Sequence, residues 1–414
     1  MKFTMKFIVA IFLSIFVISD ACTNIIVERS ASSDSSNMIA YNADSITLYG
    51  SLYHYPRAVH PENAIRDVFD WDSGEYYGSI PEARETYNVV GNMNEFGLII
   101  GETTFGGLSI LNTQSKAKID YGSLIWLTLQ RSKSAREAIQ VMDELMQKYG
   151  YASGGESFSI VDNHETWIME IIGKGETEFG SVWIALKVPE GHITAHANQA
   201  RIRSIIMDDP ANCLYSKDVI SFARKLGLYT GKDEHFSFAD AYDPITFSGA
   251  RMCEARVFSI FSAVVGGDFE SQYLDYAMGY NLTNHMPLFV KPSSKLSVST
   301  IMQLFRSHYE SLPMDMSGLS FEDPGAYGTY SPYRNHPLSW SSNGKSYFNE
   351  RPISTQQTGW NFIGQSRAWM PQELSGLLWF GVVSTSSSSS SLSTIIIIII
   401  IIIIIIIRMT RVPQ

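Results

Sequence analysis

The chain has 414 residues, of which 45% are hydrophobic and 12% aromatic, and its formal net charge is −10. That hydrophobic content is ample for a sizeable buried core, and the length allows one large or two ordinary domains. The negative charge argues against nucleic acid and acidic membrane surfaces as partners.

The first 21 residues have the pattern of a secretion signal. Two lysines precede a mostly apolar run at 7–17, and Ser19 and Ala21 occupy the −3 and −1 positions of a small-x-small cleavage site. The run is shorter than the ~20 residues that a membrane-spanning helix needs, which disfavours an uncut anchor. We therefore expect residues 1–21 to be a signal peptide. The mature protein is expected to be secreted or lumenal, in a lysosome-like compartment, without stable membrane association.

Cleavage after Ala21 would make Cys22 the first residue of the mature chain, where one residue carries both a thiol and a free α-amine. Their ordinary pKa values, about 8.5 and roughly 7.7–8.0, suit a nucleophile and its general base. This is the activated-nucleophile logic of N-terminal-nucleophile enzymes. The alternatives are a structural cysteine in a disulfide and, with weaker support, a lipid-modified cysteine.

Only three cysteines occur in the chain: Cys22, Cys213 and Cys253. An odd number in an exported protein leaves one thiol free. A bridge between Cys213 and Cys253 would leave Cys22 reactive, although the sequence does not establish that pairing.

The periodicity of apolar residues predicts short strands interleaved with a few helices. In chain order the predicted elements are strands at 23–28 and 38–44, an irregular aromatic loop over 49–86, two strands within 89–104, a helix over 134–149, a hairpin of 157–163 with 166–172, strands at 181–188 and 192–196, and helices over 216–226 and 297–309. The helix at 134–149 has a capping box, Ser134 with Glu137, and ends at Gly150. The order indicates an α+β protein with antiparallel sheets and no domain boundary between 22 and about 380.

The end of the chain has a different composition. Residues 384–391 are almost all serine, and thirteen consecutive isoleucines follow at 395–407. Thirteen residues fall short of an ordinary membrane span, and such a run is strongly prone to aggregate. We assign no function to residues 383–414 and expect a low-complexity tail, arising from a gene-model error or a repeat expansion, in place of the natural C-terminal end.

Polar residues at the ends of apolar strands are candidates for chemistry. Asp44 ends the strand that runs antiparallel to the one after Cys22, so it could lie beside the α-amine; the alternative is a turn-capping aspartate. Thr104 and Asn198 each follow a predicted strand. Acyl transfer by a thiol needs donors aimed at the oxyanion, and Asn198 and a backbone amide near Thr104 are of the right type.

One further charge stands out. Arg256 is the lone charge entering the apolar run 257–265. A cation could poise the thiol of Cys22 and grip the substrate. The alternative role for Arg256 is a structural salt bridge, for example with Glu254.

Metal and cofactor sites are not predicted. The sequence contains no His-Glu-x-x-His, Cys-x-x-Cys or Gly-x-Gly-x-x-Gly pattern, no phosphate loop and no Gly-x-Ser-x-Gly elbow. His192 and His196 lie four residues apart in a predicted strand, without a third ligand nearby. We expect both to be surface or hydrogen-bonded core histidines.

Several short stretches carry a resemblance to a known family. They are residues 21–23, 38–45, 93–95, 101–104, 195–201, 253–258, 306–310 and 349–354. In this order they resemble the N-terminal-nucleophile cysteine dipeptidases, the group that contains bacterial dipeptidase A and the secernins. Each stretch is short, but their ordered set is specific and covers about 22–382.

The resemblance implies a fold, a reaction and a set of site residues. The fold would be a four-layer αββα sandwich over residues 22–382. The reaction would be hydrolysis of dipeptides or other short peptides through an acyl-enzyme on Cys22, with no cofactor. Asp44 would hold the α-amine and Thr104 would fall at an oxyanion position. Asn198 would supply a donor there, and Arg256 would support the nucleophile.

Two departures from the family pattern keep alternatives open. Tyr41 stands where the family usually has arginine before Asn-x-Asp, and tyrosine carries no cation at neutral pH. The family also continues beyond the point where the repeat tail begins. The alternatives are an amidase acting on N-acyl amino acids or related amides, and a truncated, inactive member. Assembly as a homo-oligomer is left open.

Overall fold

Antiparallel strand pairing organises the computed structural model, which describes residues 22–45, 50–316 and 339–381 and the backbone of 396–398. Every strand pair among these residues is antiparallel, which confirms the predicted α+β class. The predicted signal peptide, residues 1–21, lies outside the described residues. So does the predicted tail, apart from 396–398.

The first large sheet carries the predicted N-terminal hairpin. Its six strands, in spatial order, are Ile193–His196 (β14), Thr23–Val27 (β1), Asn37–Asp44 (β2), Thr358–Ser366 (β18), Gly376–Gly381 (β19) and Ile396–Ile398 (β20). The hairpin of β1 and β2 therefore lies inside the sheet. Every residue of both strands is buried, so position 22 is held at a rigid strand end.

The second large sheet has eight strands. In spatial order they are Cys213–Tyr215 (β15), Ser181–Lys187 (β13), Thr166–Gly173 (β12), Gly155–Val161 (β11), Ile99–Gly106 (β10), Met93–Asn94 (β9), Val89–Val90 (β8) and His54–Tyr55 (β3). The predicted hairpin of 157–163 with 166–172 is confirmed as β11 and β12.

Small two-stranded sheets occupy part of the segment predicted as an irregular loop, 49–86. Two such sheets pair Ala58–Val59 (β4) with Glu85–Thr86 (β7) and Ile65–Phe69 (β5) with Tyr76–Pro81 (β6). A third two-stranded sheet of the described residues lies outside this segment and pairs Ser339–Ser342 (β16) with Lys345–Phe348 (β17). The loop prediction is therefore wrong in part. The strand β5 exposes Ile65 and Phe69, so its sequence lacks the pattern of an apolar face turned to a core.

The helices pack outside the sheets. They are Tyr121–Leu129 (α1), Ala135–Tyr149 (α2), Val219–Lys225 (α3), Phe238–Tyr242 (α4), Ala255–Val265 (α5), Phe269–Ala277 (α6), Val298–Leu304 (α7) and Gln372–Ser375 (α8). The helix predicted at 134–149 is confirmed, with the Ser134 hydroxyl accepting from the Glu137 backbone N–H at 3.3 Å. The helix α5 was not predicted, because its nearly continuous apolar sequence shows no polar face.

Hydrophobic side chains form three clusters that account for the burial of β1. Ile26 belongs to a cluster with side chains of the second sheet, such as Ile168 of β12. Its neighbour Ile25 belongs to another cluster, together with Phe258 of α5. The third cluster joins α1 and α2 to the second sheet. Successive residues of a strand point to opposite faces, so β1 is fixed by packing on both sides.

Candidate active site

Cys22 immediately precedes β1, and its side chain is only 5% exposed. In the antiparallel register, Thr23 pairs with Asn42 of β2. Extending that register by one place sets Cys22 opposite Ala43, the neighbour of Asp44. The role of Asp44 toward the α-amine stays a prediction.

The thiol of Cys22 is held in its protonated form by its surroundings. Its Sγ lies 3.2 Å from the Tyr41 hydroxyl, which itself donates to Glu102. The sulfur is therefore the donor to the tyrosine oxygen. Burial raises the pKa of Cys22 well above its usual value, and the charges of Glu102 and Asp44 raise it further. A thiol in this environment needs a base to become a nucleophile.

Arg256, at the start of α5, connects the candidate residues. Its side chain is fully buried. Nη1 donates to the Cys22 carbonyl at 2.7 Å and to Thr23 Oγ1 at 3.0 Å. Nη2 donates to the Ala197 carbonyl at 3.1 Å and to Asn198 Oδ1 at 2.8 Å. One guanidinium thus fixes the strand end that bears the thiol and the predicted oxyanion donor.

The salt bridge considered for Arg256 is not formed. Its remaining donor, Nε, binds the Met252 carbonyl at 2.9 Å. Glu254 instead pairs with Arg201, with Nε and Oε1 2.9 Å apart. The alternative of an Arg256–Glu254 pair is therefore excluded. The side chain of Arg256 turns toward Cys22 because backbone carbonyls there offer it acceptors.

Asn198 is oriented by two neighbours. Its Oδ1 accepts from Arg256, and its Nδ2 donates to the Thr104 carbonyl at 2.6 Å. These contacts fix which end of the amide is the donor. The amide group has two N–H bonds and the contact with Thr104 uses one. Asn198 is half-buried and has a φ of 63°, in the left-handed region.

We expect Asn198→Ala to lower kcat for peptide hydrolysis roughly 10²-fold, because an oxyanion donor is removed. It should also cost about 1 kcal/mol of stability beyond Asn198→Gly, because alanine is strained at positive φ. Steady-state kinetics and urea unfolding of both variants measure the two effects. A wild-type kcat in Asn198→Gly would show that the side-chain amide plays no part.

Asp44 ends β2 as predicted, whereas Thr104 lies inside β10 rather than at its end, and both make contacts that the sequence did not reveal. The Thr104 hydroxyl donates to Glu156 Oε1 at 2.5 Å, so Thr104 meets Asn198 through its backbone carbonyl. Asp44 is fully buried at the end of β2 and accepts from the Thr358 hydroxyl at 2.6 Å. The catalytic roles of both residues stay predictions.

The sequence interpretation missed a line of acidic groups beside the thiol. Tyr41 donates to Glu102 Oε1 at 2.5 Å. Burial raises the pKa of Glu102 to about 7. Burial, and then the neighbouring Glu102, raise the pKa of Glu156 well above its usual value. An acidic residue inside a buried strand was the available signal, since both glutamates stand in stretches with strand periodicity.

His196 is a hydrogen-bonded core histidine, as predicted. Its ring nitrogens contact Thr103 Oγ1 at 2.7 Å and Ser159 Oγ at 2.8 Å. Burial lowers its pKa to about 3. Among the described residues, no group of three His, Cys, Asp or Glu side chains could hold a metal ion.

The two cysteines outside the site are not linked to each other. Cys213 and Cys253 are both free thiols, so the bridge considered between them is not formed. Within the described part of the chain, no helix is both long enough and apolar enough to cross a membrane.

Stability is expected to fall as the pH rises from about 6.5 to about 8.5. Burial raises the pKa of Glu170 to about 7 and that of Asp243 to about 8. Each folded carboxyl favours its proton, so its contribution is full below its unfolded pKa of about 4 and is lost as the pH passes 7 and 8. The contribution of His196 to stability changes with pH only below a pH of about 6.5, the ordinary pKa of histidine. Melting temperatures across this range test the expectation, and Asp243→Asn should flatten the decline.

Comparison with known proteins places the chain in a family. A family model described as Peptidase family C69 matches residues 21–391. The match spans most of the chain, so the protein falls in the class of peptide hydrolases. The chain belongs to Peptidase family C69.

Relatives of the chain carry dipeptidase names. A "Probable dipeptidase" of Salmonella dublin is 26% identical over 373 residues, which cover 86% of this chain and 77% of that protein. A "Probable dipeptidase" of Latilactobacillus sakei is 25% identical, over 87% of this chain and 71% of that protein. "Probable dipeptidase A" of Streptococcus pyogenes serotype M3 (strain SSI-1) is 26% identical, over 87% and 72%. The predicted family resemblance is thereby confirmed.

Proposed function

We propose that the mature protein is a cysteine dipeptidase whose nucleophile is Cys22 Sγ and whose general base is the α-amine of the same residue. The carrying observation is that the buried Arg256 binds both the Cys22 carbonyl and Asn198 Oδ1. The family and the names of the relatives support a dipeptide or short-peptide substrate. The proposal also takes residues 1–21 as a signal that is removed and the mature protein as secreted or lumenal.

The proposed reaction moves one proton between sulfur and nitrogen. The α-amine takes the proton of the thiol, and Sγ attacks the carbonyl carbon of the scissile bond. The oxyanion so formed meets the second N–H of Asn198 and a backbone amide near Thr104. Collapse breaks the C–N bond, and the α-ammonium returns its proton to the leaving amine. Water, activated by the same amine, then hydrolyses the thioester and releases the acid.

Asp44 and Arg256 are the positioning residues of this proposal. The carboxylate of Asp44 would bind the new terminal ammonium and hold the amine beside the sulfur. Arg256 keeps the strand end and the Asn198 amide in register with each other. In the precursor the nitrogen of Cys22 is a peptide nitrogen, which cannot serve as a base. Activity therefore depends on removal of the leader.

The layering of the fold supports the same proposal. One hydrophobic cluster lies between the two large sheets, and one more joins each sheet to its own helices. We infer from this layering the four-layer αββα sandwich of N-terminal-nucleophile hydrolases.

The test compares the secreted, matured protein with forms that retain residues ahead of Cys22. N-terminal sequencing and mass spectrometry identify the first residue, and a thiol-directed probe with peptide mapping identifies the reactive cysteine. We expect dipeptide hydrolysis only from chains that begin at Cys22. Equal activity from a chain that keeps Ala21, or from one with an acylated terminal nitrogen, would overturn the role of the amine.

A further inference from the structure

Two buried carboxyl groups beside the proposed nucleophile form no ion pair with a cation in the part of the chain that the structure describes. Glu102 is 4% exposed and Glu156 is fully buried. One oxygen of each accepts a hydrogen bond, from Tyr41 and from Thr104 respectively. The Oε2 atom of each is buried and accepts no hydrogen bond from another type of side chain among the described residues, while the two carboxyls interact with each other. No lysine or arginine is among the main influences on the pKa of either group.

These carboxyls lie within reach of the reacting atoms. The Tyr41 hydroxyl contacts both Cys22 Sγ, at 3.2 Å, and Glu102 Oε1, at 2.5 Å. A single hydroxyl therefore separates the sulfur from the carboxyl. In a dipeptide, the α-ammonium is one carbon atom away from the carbonyl that the sulfur attacks. The separation of the ammonium from the attacked carbonyl is therefore comparable to the span of the two hydrogen bonds that link Sγ to Glu102.

A group of opposite charge is also without a partner in the same region. Nε and Nη2 of Arg351 are buried and have no hydrogen-bond acceptor among the described residues. Burial and the nearby Arg256 lower the pKa of Arg351, while the charges of Asp44 and Cys22 raise it. Asn42 of β2 donates to the Ile353 carbonyl at 3.1 Å, which holds the segment that bears Arg351 against the strand that ends at Asp44.

Buried polar groups without partners are costly, and both signs of charge are present here. We propose that Glu102 binds the α-ammonium group of a peptide substrate and that Arg351 binds its terminal carboxylate. The site would then select short peptides with both ends free. This inference rests on the proposed dipeptidase function and deepens it, because it excludes N-acyl amino acids, which have no ammonium group, as good substrates.

A dipeptide with free ends carries the two charged groups that would pair with Glu102 and Arg351. Tyr41 brings a hydroxyl and no charge to Glu102, so a bound ammonium would be the first cation to reach that carboxyl. Ammonium–carboxylate and guanidinium–carboxylate contacts are charge-assisted hydrogen bonds, about twice as strong as neutral ones. A longer peptide would place an uncharged amide opposite Arg351. The site would then select substrates by the distance between their charged ends.

The test uses the full chain, matured by secretion, and one dipeptide in three forms: free, N-acetylated, and amidated at its carboxyl end. For the wild-type enzyme we expect each blocking group to lower kcat/KM about 10- to 100-fold, the effect of one lost charge-assisted contact. Glu102→Gln should lower kcat/KM for the free dipeptide by a similar factor and leave the acetylated form nearly unchanged. Arg351→Gln should likewise lower kcat/KM for the free dipeptide and leave the amidated form nearly unchanged.

The kcat/KM values of the wild-type enzyme on the three forms of the dipeptide test the inference even if a variant fails to fold. Glu144→Gln, which removes an exposed carboxylate from α2, is the matched control and should leave all three rates unchanged. Equal rates of the wild-type enzyme on free and blocked dipeptides would overturn the inference while the dipeptidase function stands. A reduction by Glu102→Gln that is the same for all three substrates would also overturn it. Absence of hydrolysis of any dipeptide would instead refute the proposed function.

Discussion

Exchanging the thiol of Cys22 for a hydroxyl, Cys22→Ser, is expected to lower kcat/KM for dipeptides by roughly 10³-fold or more. A serine hydroxyl gives up its proton far less readily than a thiol, and an α-amine of pKa about 8 is too weak a base to compensate. The substitution is nearly isosteric and keeps a donor toward the Tyr41 oxygen, 3.2 Å away. The melting temperature should therefore change little, and kinetics on the purified, folded variant measure the loss.

Cys213→Ser is the matched control for this variant. Cys213 is also a buried free thiol, but it lies in β15, at the far edge of the second sheet. Its substitution should leave kcat/KM within about twofold of the wild-type value, as expected for a site remote from the chemistry. If Cys22→Ser were as active as Cys213→Ser, the proposed nucleophile would be wrong.

Arg256→Ala is expected to lower the free energy of unfolding by about 3–5 kcal/mol and to abolish activity. The guanidinium fills a fully buried position, and its loss leaves the Cys22 carbonyl and Asn198 Oδ1 without their donor. Each buried acceptor so exposed costs about 1–3 kcal/mol, and the cavity adds to this. Urea unfolding followed by fluorescence measures the change.

Two further variants separate the stability of Arg256 from its role at the site. Arg256→Lys keeps the charge but carries all its donors on one nitrogen, so it lacks the fork that spans Cys22 and Asn198. We expect it to fold and to lose about 10²-fold in kcat. Arg224→Ala, at a half-exposed surface arginine, should change stability by less than about 1 kcal/mol. A stable, active Arg256→Ala variant would refute the connecting role.

Local sequence patterns predicted the parts of the fold that depend on local rules. The hairpin of β1 with β2, the hairpin of β11 with β12 and the capped helix α2 were all predicted correctly, because alternation and capping residues mark them. The helix α5 and the hairpin of β5 with β6 were not. In α5 nearly every residue is apolar, and in β5 apolar residues face solvent, so the burial pattern carries no period.

The sequence predicted which residues form the candidate site, but it did not predict which atoms of those residues contact each other. Cys22, Asn198 and Arg256 do come together, but Arg256 binds backbone carbonyls and the side chains of Thr23 and Asn198 rather than Glu254. Tyr41 and Glu102 meet across two sheets, 61 residues apart in the chain. Contacts of this kind depend on how sheets stack, which no local pattern encodes.

The pairing of β2 with β18 determines how late in synthesis the first large sheet can assemble. Residues that are 314 apart, Asp44 and Thr358, are hydrogen-bonded at the open end of the N-terminal hairpin. The central ladder of this sheet therefore cannot close until the ribosome has delivered residues near 366. A growing chain therefore exposes the Cys22 thiol before the proposed site can assemble. The order of synthesis would thus delay the proposed hydrolysis until the polypeptide is nearly finished.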